Sequence, residues 1–219
     1  MARVLKGLGY FLLLAWLATP MLGADSKILF GESFEKPLGA RWRQVEFGKL
    51  TDYRIVLENS NACLQATANA TASALATKVA IPSAPEMSIR WRWKISACAT
   101  NGSEDRLATF DHTGRIFVAF DTFIGPPRTI NYVWANTAAT NSVFDHPSSS
   151  RSKFIVIESG NGKAGQWLAV RRDLKKDWQR LFKTEAMPKI VGVGVFTDSD
   201  GTKMDVTGWY DDIVIEGGR

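Results

Sequence analysis

The sequence predicts an all-β protein, built as an antiparallel, jelly-roll-like β-sandwich with one short helix. Short runs rich in β-branched and aromatic residues recur along most of the chain, which is typical of strands. Turn-forming pairs such as Asn161-Gly162 and Asp200-Gly201 separate these runs. Helical segments do not alternate with the strands, as they would around a parallel sheet. Together these observations favour two antiparallel sheets packed face to face.

Eleven segments have the length and composition of strands. They are KILFGESF (27–34), DYRIVLE (52–58), CLQATA (63–68), SALATKVA (73–80), SIRWRWKIS (88–96), RIFVAFDTF (115–123), INYVWA (130–135), KFIVIES (153–159), QWLAVRR (166–172), IVGVGVFT (190–197) and GWYDDIVIE (208–216).

One helix is predicted for the segment DLKKDWQRLF, residues 173–182. Asp173 can cap its N-terminus, because a carboxylate there accepts a hydrogen bond from a free backbone N–H of the first turn. Leu174, Trp178 and Leu181 recur at i, i+4 and i+7, so they form an apolar stripe on one side of the helix. We expect this stripe to cover an edge or an end of the sheets.

The first 24 residues predict a secretory signal peptide. A positively charged start precedes an apolar stretch over residues 8–18, and Pro20 breaks that stretch before the small residues near Ala24. The stretch is shorter than a bilayer span requires, although an uncleaved membrane anchor is the alternative. We therefore expect residues 25–219 to form a single β-sandwich domain in the periplasm or outside the cell, with no stable membrane span after processing.

The charge and the cysteines exclude two classes of function. The full chain carries a formal net charge of +5, which the loss of Arg3 and Lys6 with the signal peptide would lower by two. No lysine or arginine cluster is dense enough for a nucleic-acid surface, so nucleic acid is not expected as a partner. Cys63 and Cys98 lack the C-x-x-C spacing of a zinc or redox site. They are either a disulfide between neighbouring strands or two buried free thiols.

The segment SIRWRWKIS alternates bulky apolar and cationic side chains. Side chains of a strand point alternately to opposite faces of the sheet, so Trp91 and Trp93 should face the core. Arg90, Arg92 and Lys94 should then stand on the outer face. That face is either solvated and ion-paired, or a polar groove that holds a polyhydroxylated or acidic ligand.

Six segments in order, TFDHTGRIFVAFD, INYVWAN, IVIESG, WLAVRRDLKKDW, VGVGVFTDSDGTK and GWYDDIVIE, carry a family resemblance. From about Leu29 onward, the chain resembles the exported bacterial proteins of domain-of-unknown-function family 3047. The resemblance implies a single exported β-sandwich and no particular activity. The sequence departs from the family pattern at His112, Arg172 and Asp211. The matching positions are Asp111, Arg115, Tyr132, Trp134, Arg171, Asp177, Asp198, Asp200, Thr202, Tyr210 and Asp212.

The alternating strand and the resemblance together predict one ligand-binding groove. Its predicted residues are Arg90, Arg92, Lys94, Asp111, Arg115, Tyr132, Trp134 and Arg171. Within it, we expect Arg90 and Arg92 to share the groove with Arg115 and with at least one carboxylate, because half-buried guanidinium groups seek carboxylates. The expected carboxylates are Asp111, Asp198 and Asp200.

The segment DSDGT resembles the start of a calcium-binding loop. Asp198, Asp200 and Thr202 supply two carboxylates and a hydroxyl, which are oxygen ligands that calcium accepts. Lys203 stands where an EF-hand requires glycine, so the loop is not an EF-hand. Calcium is therefore the one cofactor that the sequence suggests. The alternative is turn chemistry, in which the aspartates accept hydrogen bonds from nearby backbone N–H groups.

Signals for catalysis are weak. His112 and His146 each follow an aspartate directly, and neighbours on a strand face opposite ways, so neither pair forms a catalytic dyad. We therefore predict an exported, non-enzymatic protein that binds a glycan or a component of the cell envelope. One alternative is a glycan hydrolase or lyase that uses Asp111, Asp198 and Asp200. The other is an envelope scaffold protein without a small ligand.

Overall fold

Thirteen strands and one α-helix form within residues 26–218, the part of the chain described by this computed structural model. The strands are β1 (Lys27–Glu32), β2 (Trp42–Glu46), β3 (Asp52–Glu58), β4 (Asn61–Asn69), β5 (Ala72–Ile81), β6 (Glu86–Ile95), β7 (Gly114–Phe120), β8 (Arg128–Ala135), β9 (Val143–His146), β10 (Ser149–Ser159), β11 (Leu168–Asp173), β12 (Ile190–Asp198) and β13 (Asp205–Gly218). The helix α1 spans Leu174–Phe182.

All eleven predicted strands form, and the structure adds the short strands β2 and β9. The predicted signal peptide lies outside the described residues. Within residues 26–218, no helix has the length and apolar character to cross a bilayer.

The strands form two sheets, as the all-β prediction requires. One sheet has six strands in the order β11-β6-β13-β4-β3, with β1 paired to β13. The other has seven strands in the order β2-β5-β12-β7-β8-β10-β9. The pairs are antiparallel except for β8 and β10, which run parallel because the chain first passes beyond β10 to form β9 and then returns.

Four aromatic rings join the two sheets at the centre of the core. Trp91 of β6 packs 5.1 Å from Tyr132 of β8, and Trp93 packs 5.9 Å from Trp134, measured between ring centres. All four side chains are almost completely buried. The tryptophans of the alternating strand therefore face inward, as predicted.

The helix closes one end of the sandwich as its apolar stripe predicts. Asp173 accepts a hydrogen bond from the backbone N–H of Lys176 at 3.0 Å, which confirms the predicted cap. Leu174, Trp178 and Leu181 are buried, and the Trp178 ring lies 4.7 Å from that of Phe120 in the seven-stranded sheet.

Asp177 attaches the helix to both sheets. Its carboxylate accepts two hydrogen bonds from Arg172 of β11, at 2.6 and 3.0 Å, and one from the Tyr132 hydroxyl at 3.0 Å. The Asp177 side chain is only 5% exposed, so water cannot easily take the place of these hydrogen-bond partners if they are removed.

Both cysteines are buried and free. The sequence left open a disulfide or two buried free thiols, and the structure contains the two free thiols. Burial raises the pKa of Cys63 and of Cys98 to about 11, so neither is a reactive thiolate near neutral pH.

We predict that Asp177→Ala lowers the free energy of unfolding by about 3 kcal/mol, because it leaves Arg172 and the Tyr132 hydroxyl without their buried partner. Urea denaturation would measure the loss. The control is Asp173→Ala, which removes the helix cap and an exposed ion pair with Lys176 and should cost about 1 kcal/mol. Equal losses in the two variants would contradict the anchoring role of Asp177.

Candidate functional site

The outer surface of the six-stranded sheet carries the cations of the alternating strand. Arg90, Arg92 and Lys94 point outward from β6, opposite Trp91 and Trp93. We call this surface the cationic face. Each of its cations meets a carboxylate from another strand of the same sheet, so the face is an ordered network of ion pairs.

Glu216 of β13 holds the first part of this network. It accepts from Arg90 Nε at 3.2 Å and pairs with Arg171 Nη1 of β11 at 2.7 Å. Burial alone would raise the pKa of Glu216, but the hydrogen bonds from Arg171 and Arg90 outweigh it and keep that pKa below its usual value. Arg171 also borders a groove of about 710 Å³ between the start of β6 and α1.

A β-bulge in β13 supplies two carboxylates to Arg92. The register of β13 against β6 shifts between Asp211 and Val214, and Asp212 has a left-handed backbone with φ of 50°. Consecutive strand residues normally face opposite ways, yet here Asp211 and Asp212 both reach Arg92. The Arg92 Nε to Asp212 Oδ2 distance is 2.8 Å, and Asn61 also donates to Asp211 at 2.8 Å.

Two half-buried tryptophans stand beside Lys94. Its ammonium group lies 4.3 Å from the centre of the Trp209 ring and 5.4 Å from that of Trp167, and it pairs with Glu58 of β3. Trp167 donates from Nε1 to the other oxygen of Glu58 at 2.7 Å. Sequence reasoning missed Glu58, Trp167 and Trp209 as members of this face. The alternation of Trp209, buried Tyr210 and Asp211 in β13 was the available signal.

The predicted single groove is wrong, because its residues lie in four separate places, of which the cationic face with Arg90, Arg92, Lys94 and Arg171 is one. Tyr132 and Trp134 are buried between the sheets, where no ligand on an outer face can reach them. Arg115 stands on the outer face of the seven-stranded sheet, on the far side of the core from Arg92. Asp111 belongs to a fourth location, with Asp198 and Asp200. The physical reason is that β6 and β7 follow each other along the chain but enter different sheets.

The fourth location is an acidic cluster between the start of β7 and the end of β12. Asp111, Asp198 and Asp200 each place one carboxylate oxygen within 4.8 Å of the others. Asp198 accepts from the backbone N–H of His112 at 2.7 Å. Asp111 accepts from the backbone N–H groups of Gly201 and Thr202, at 3.2 and 2.5 Å. The predicted turn chemistry, in which Asp198 and Asp200 accept from nearby backbone amides, is therefore wrong in its partners: Asp111 from outside the turn accepts from the turn amides, and Asp198 accepts from distant His112.

Burial, helped by the nearby Asp111 and Asp200, raises the pKa of Asp198 to about 8 against the opposing effects of Arg115 and of the hydrogen bond from His112. Three carboxylates this close need a shared proton or a cation. The donor set of oxygen atoms suits calcium, and calcium binding here stays a prediction. Thr202 contributes its backbone N–H to Asp111, whereas its Oγ1 is buried and lacks a hydrogen-bond partner among the described residues.

The raised pKa of Asp198 predicts how stability changes with pH. The folded state holds a proton on Asp198 that the unfolded chain releases above about pH 4. Stability should therefore fall as pH rises from about 4 to about 8. Asp198→Asn keeps an acceptor for the His112 N–H and removes this titration, so its stability should vary less over the same range. Melting temperatures across this range would test it, and identical pH profiles would contradict the assignment.

Calcium occupancy predicts a different response in the same assay. Millimolar calcium should raise the melting temperature of the wild type most at high pH, where no proton competes for the carboxylates. Magnesium is the control ion, and Asp200→Asn should reduce the gain. A melting temperature that neither calcium nor a chelator changes would eliminate the calcium assignment.

Comparisons with known proteins concern the whole sandwich. A xylan-binding domain from Paenibacillus barcinonensis is similar, with 10% identity over 88% of this chain and 96% of that chain, and a TM-score of 0.46. An adhesin domain of Lys-gingipain from Porphyromonas gingivalis has 13% identity over 86% of this chain and 99% of that chain, with a TM-score of 0.47. No curated protein matches the sequence. Residues 40–214 match the family model described as protein of unknown function, DUF3047, and the chain belongs to that family.

Proposed function

We propose that this chain is an exported, non-enzymatic protein that binds a glycan, or another hydroxyl-rich component of the cell envelope, on the cationic face. One observation carries the proposal: Trp167 and Trp209 are half-buried and lie against the same ammonium group, that of Lys94, on an outer face. Tryptophans placed only to fill the core would lie between the sheets, as Trp91 and Trp93 do.

The chemistry of this face suits a sugar. The flat ring of a partly exposed tryptophan packs against the C–H face of a sugar ring, while the hydroxyl groups of that sugar need both donors and acceptors. Arg92 and Asp212 provide both, since their side chains are 37% and 40% exposed. Their mutual ion pair holds them in place before a ligand arrives, which reduces the entropy lost on binding.

The pKa values and the burial of the carboxylates on the cationic face favour binding over hydrolysis. A glycosidase needs one carboxylic acid with a raised pKa that can reach the glycosidic oxygen. Lys94 and Trp167 outweigh burial and lower the pKa of Glu58, just as arginines do for Glu216. Burial raises the pKa of Asp211, but its side chain is 2% exposed and lies under Arg92 and Asn61. It therefore cannot act on a substrate at the surface.

We predict that Trp209→Ala and Trp167→Ala each weaken glycan binding about tenfold, because each removes one stacking surface. Calorimetry with a panel of soluble polysaccharides would measure the affinity. The matched control is Phe123→Ala, which removes an aromatic side chain that is fully exposed and away from this face. Its affinity should equal that of the wild type.

The same panel separates the alternatives. Binding that survives both tryptophan substitutions would contradict the assignment to the cationic face. New reducing ends or unsaturated sugars would show that the protein is an enzyme. Absence of any binding across the panel would leave the envelope scaffold as the better description.

A further inference from the structure

Among residues 26–218, Arg115 differs from the cations of the opposite face in having no carboxylate partner. Its Nε donates to Asn131 Oδ1 at 2.9 Å, and its guanidinium carbon lies 4.5 Å from the Phe196 ring and 4.9 Å from the Phe154 ring. Within residues 26–218, no carboxylate lies within 4.0 Å of its nitrogens, and its two Nη atoms have no hydrogen-bond acceptor. A guanidinium between aromatic rings is thus left with an unused, strongly hydrogen-bonding edge.

Asn131 fixes the direction in which that edge points. Its Nδ2 donates to Thr129 Oγ1, Ser152 Oγ and the Lys153 carbonyl at 2.9 to 3.1 Å, so its Oδ1 is oriented toward Arg115. The Nε of Arg115 is therefore occupied, and the remaining donors are the N–H groups of Nη1 and Nη2. Desolvation of this charge lowers the pKa of Arg115, against the weaker opposing effect of Asp198.

These donors border a groove on the outer face of the seven-stranded sheet. The groove encloses about 90 Å³. Phe47 is 67% exposed and packs 5.2 Å from Phe196, so it forms an open aromatic wall. Gly194 makes space for the Phe117 ring, since a Cβ at that position would lie 2.5 Å from Phe117 Cζ. The lining is apolar on one side and polar on the other: Phe47, Phe117 and Phe196 against Arg115, Asn131 and Thr129.

We propose that this groove is a second ligand site, specific for a sugar ring that bears a carboxylate, such as a uronic acid residue. The free guanidinium edge offers parallel N–H donors that match the two oxygens of a carboxylate. Arg115 is the one cation that lines the groove within the described chain, so it balances a single negative charge better than the double charge of a phosphate. The aromatic wall contacts the apolar face of the ring. The site does not depend on the cationic face.

The test uses the full chain and an oligogalacturonate, with its methyl ester as the neutral analogue. Wild-type protein should bind the acid about tenfold more tightly than the ester, and added salt should weaken that binding. Arg115→Met and Phe47→Ala should each weaken it about tenfold. The matched control is Arg43→Met, which removes an exposed arginine from the outer side of the edge strand β2 in the same sheet and should leave affinity unchanged.

Phe123→Ala, which removes an exposed aromatic ring outside both surfaces, should also leave oligogalacturonate binding unchanged. Equal affinity for acid and ester, no measurable binding of the acid, or unchanged affinity in Phe47→Ala would overturn the proposal. Tighter binding of a sugar phosphate than of the uronate would overturn the choice of a carboxylate. If Arg115→Met does not fold, Arg115→Lys keeps the charge without the paired donors and should lose affinity in the same way.

Discussion

The four-ring contact between Trp91 and Trp93 of one sheet and Tyr132 and Trp134 of the other determines which residues reach each surface. Once the two tryptophans of β6 are buried, the alternation of the strand forces its arginines and lysine outward. The same constraint acts on β8, where burial of Tyr132 places Asn131 on the opposite outer surface, beside Arg115. Both candidate binding surfaces are therefore consequences of how the core packs.

The two surfaces handle their cations in opposite ways. On the six-stranded sheet, the β-bulge in β13 turns Asp211 and Asp212 to the same arginine, which compensates its charge within the protein. On the seven-stranded sheet, Arg115 has aromatic neighbours and one amide instead. A compensated surface offers donors and acceptors to neutral hydroxyl groups, whereas an uncompensated guanidinium favours an anion.

Local pattern was sufficient to predict eleven of the strands, the helix and the inward direction of Trp91 and Trp93. The strand β2 was not predicted, because its sequence WRQVE is polar and mostly exposed. The strand β9 was not predicted, because four residues are too few to show a strand pattern. The site was predicted less well. Periodicity states which residues share a face of one strand, but sheet membership depends on long-range pairing, so Arg115 was wrongly grouped with Arg92. The β-bulge at Asp211 could not be predicted either, because the period-two pattern of a strand assumes that its side chains alternate regularly between the two faces.

The geometry also limits what one ligand could do. The cationic face and the Arg115 groove lie on opposite outer surfaces of a sandwich whose centre is filled by buried rings, so no small ligand can contact both. Two occupied surfaces would require either two ligands or one polymer that passes around an edge of the sandwich. The edge strands β3 and β11 of one sheet and β2 and β9 of the other lie between the two surfaces. A protein that used both would therefore link separate glycan segments through a rigid core, and its avidity for a multivalent envelope would exceed the affinity of either surface alone.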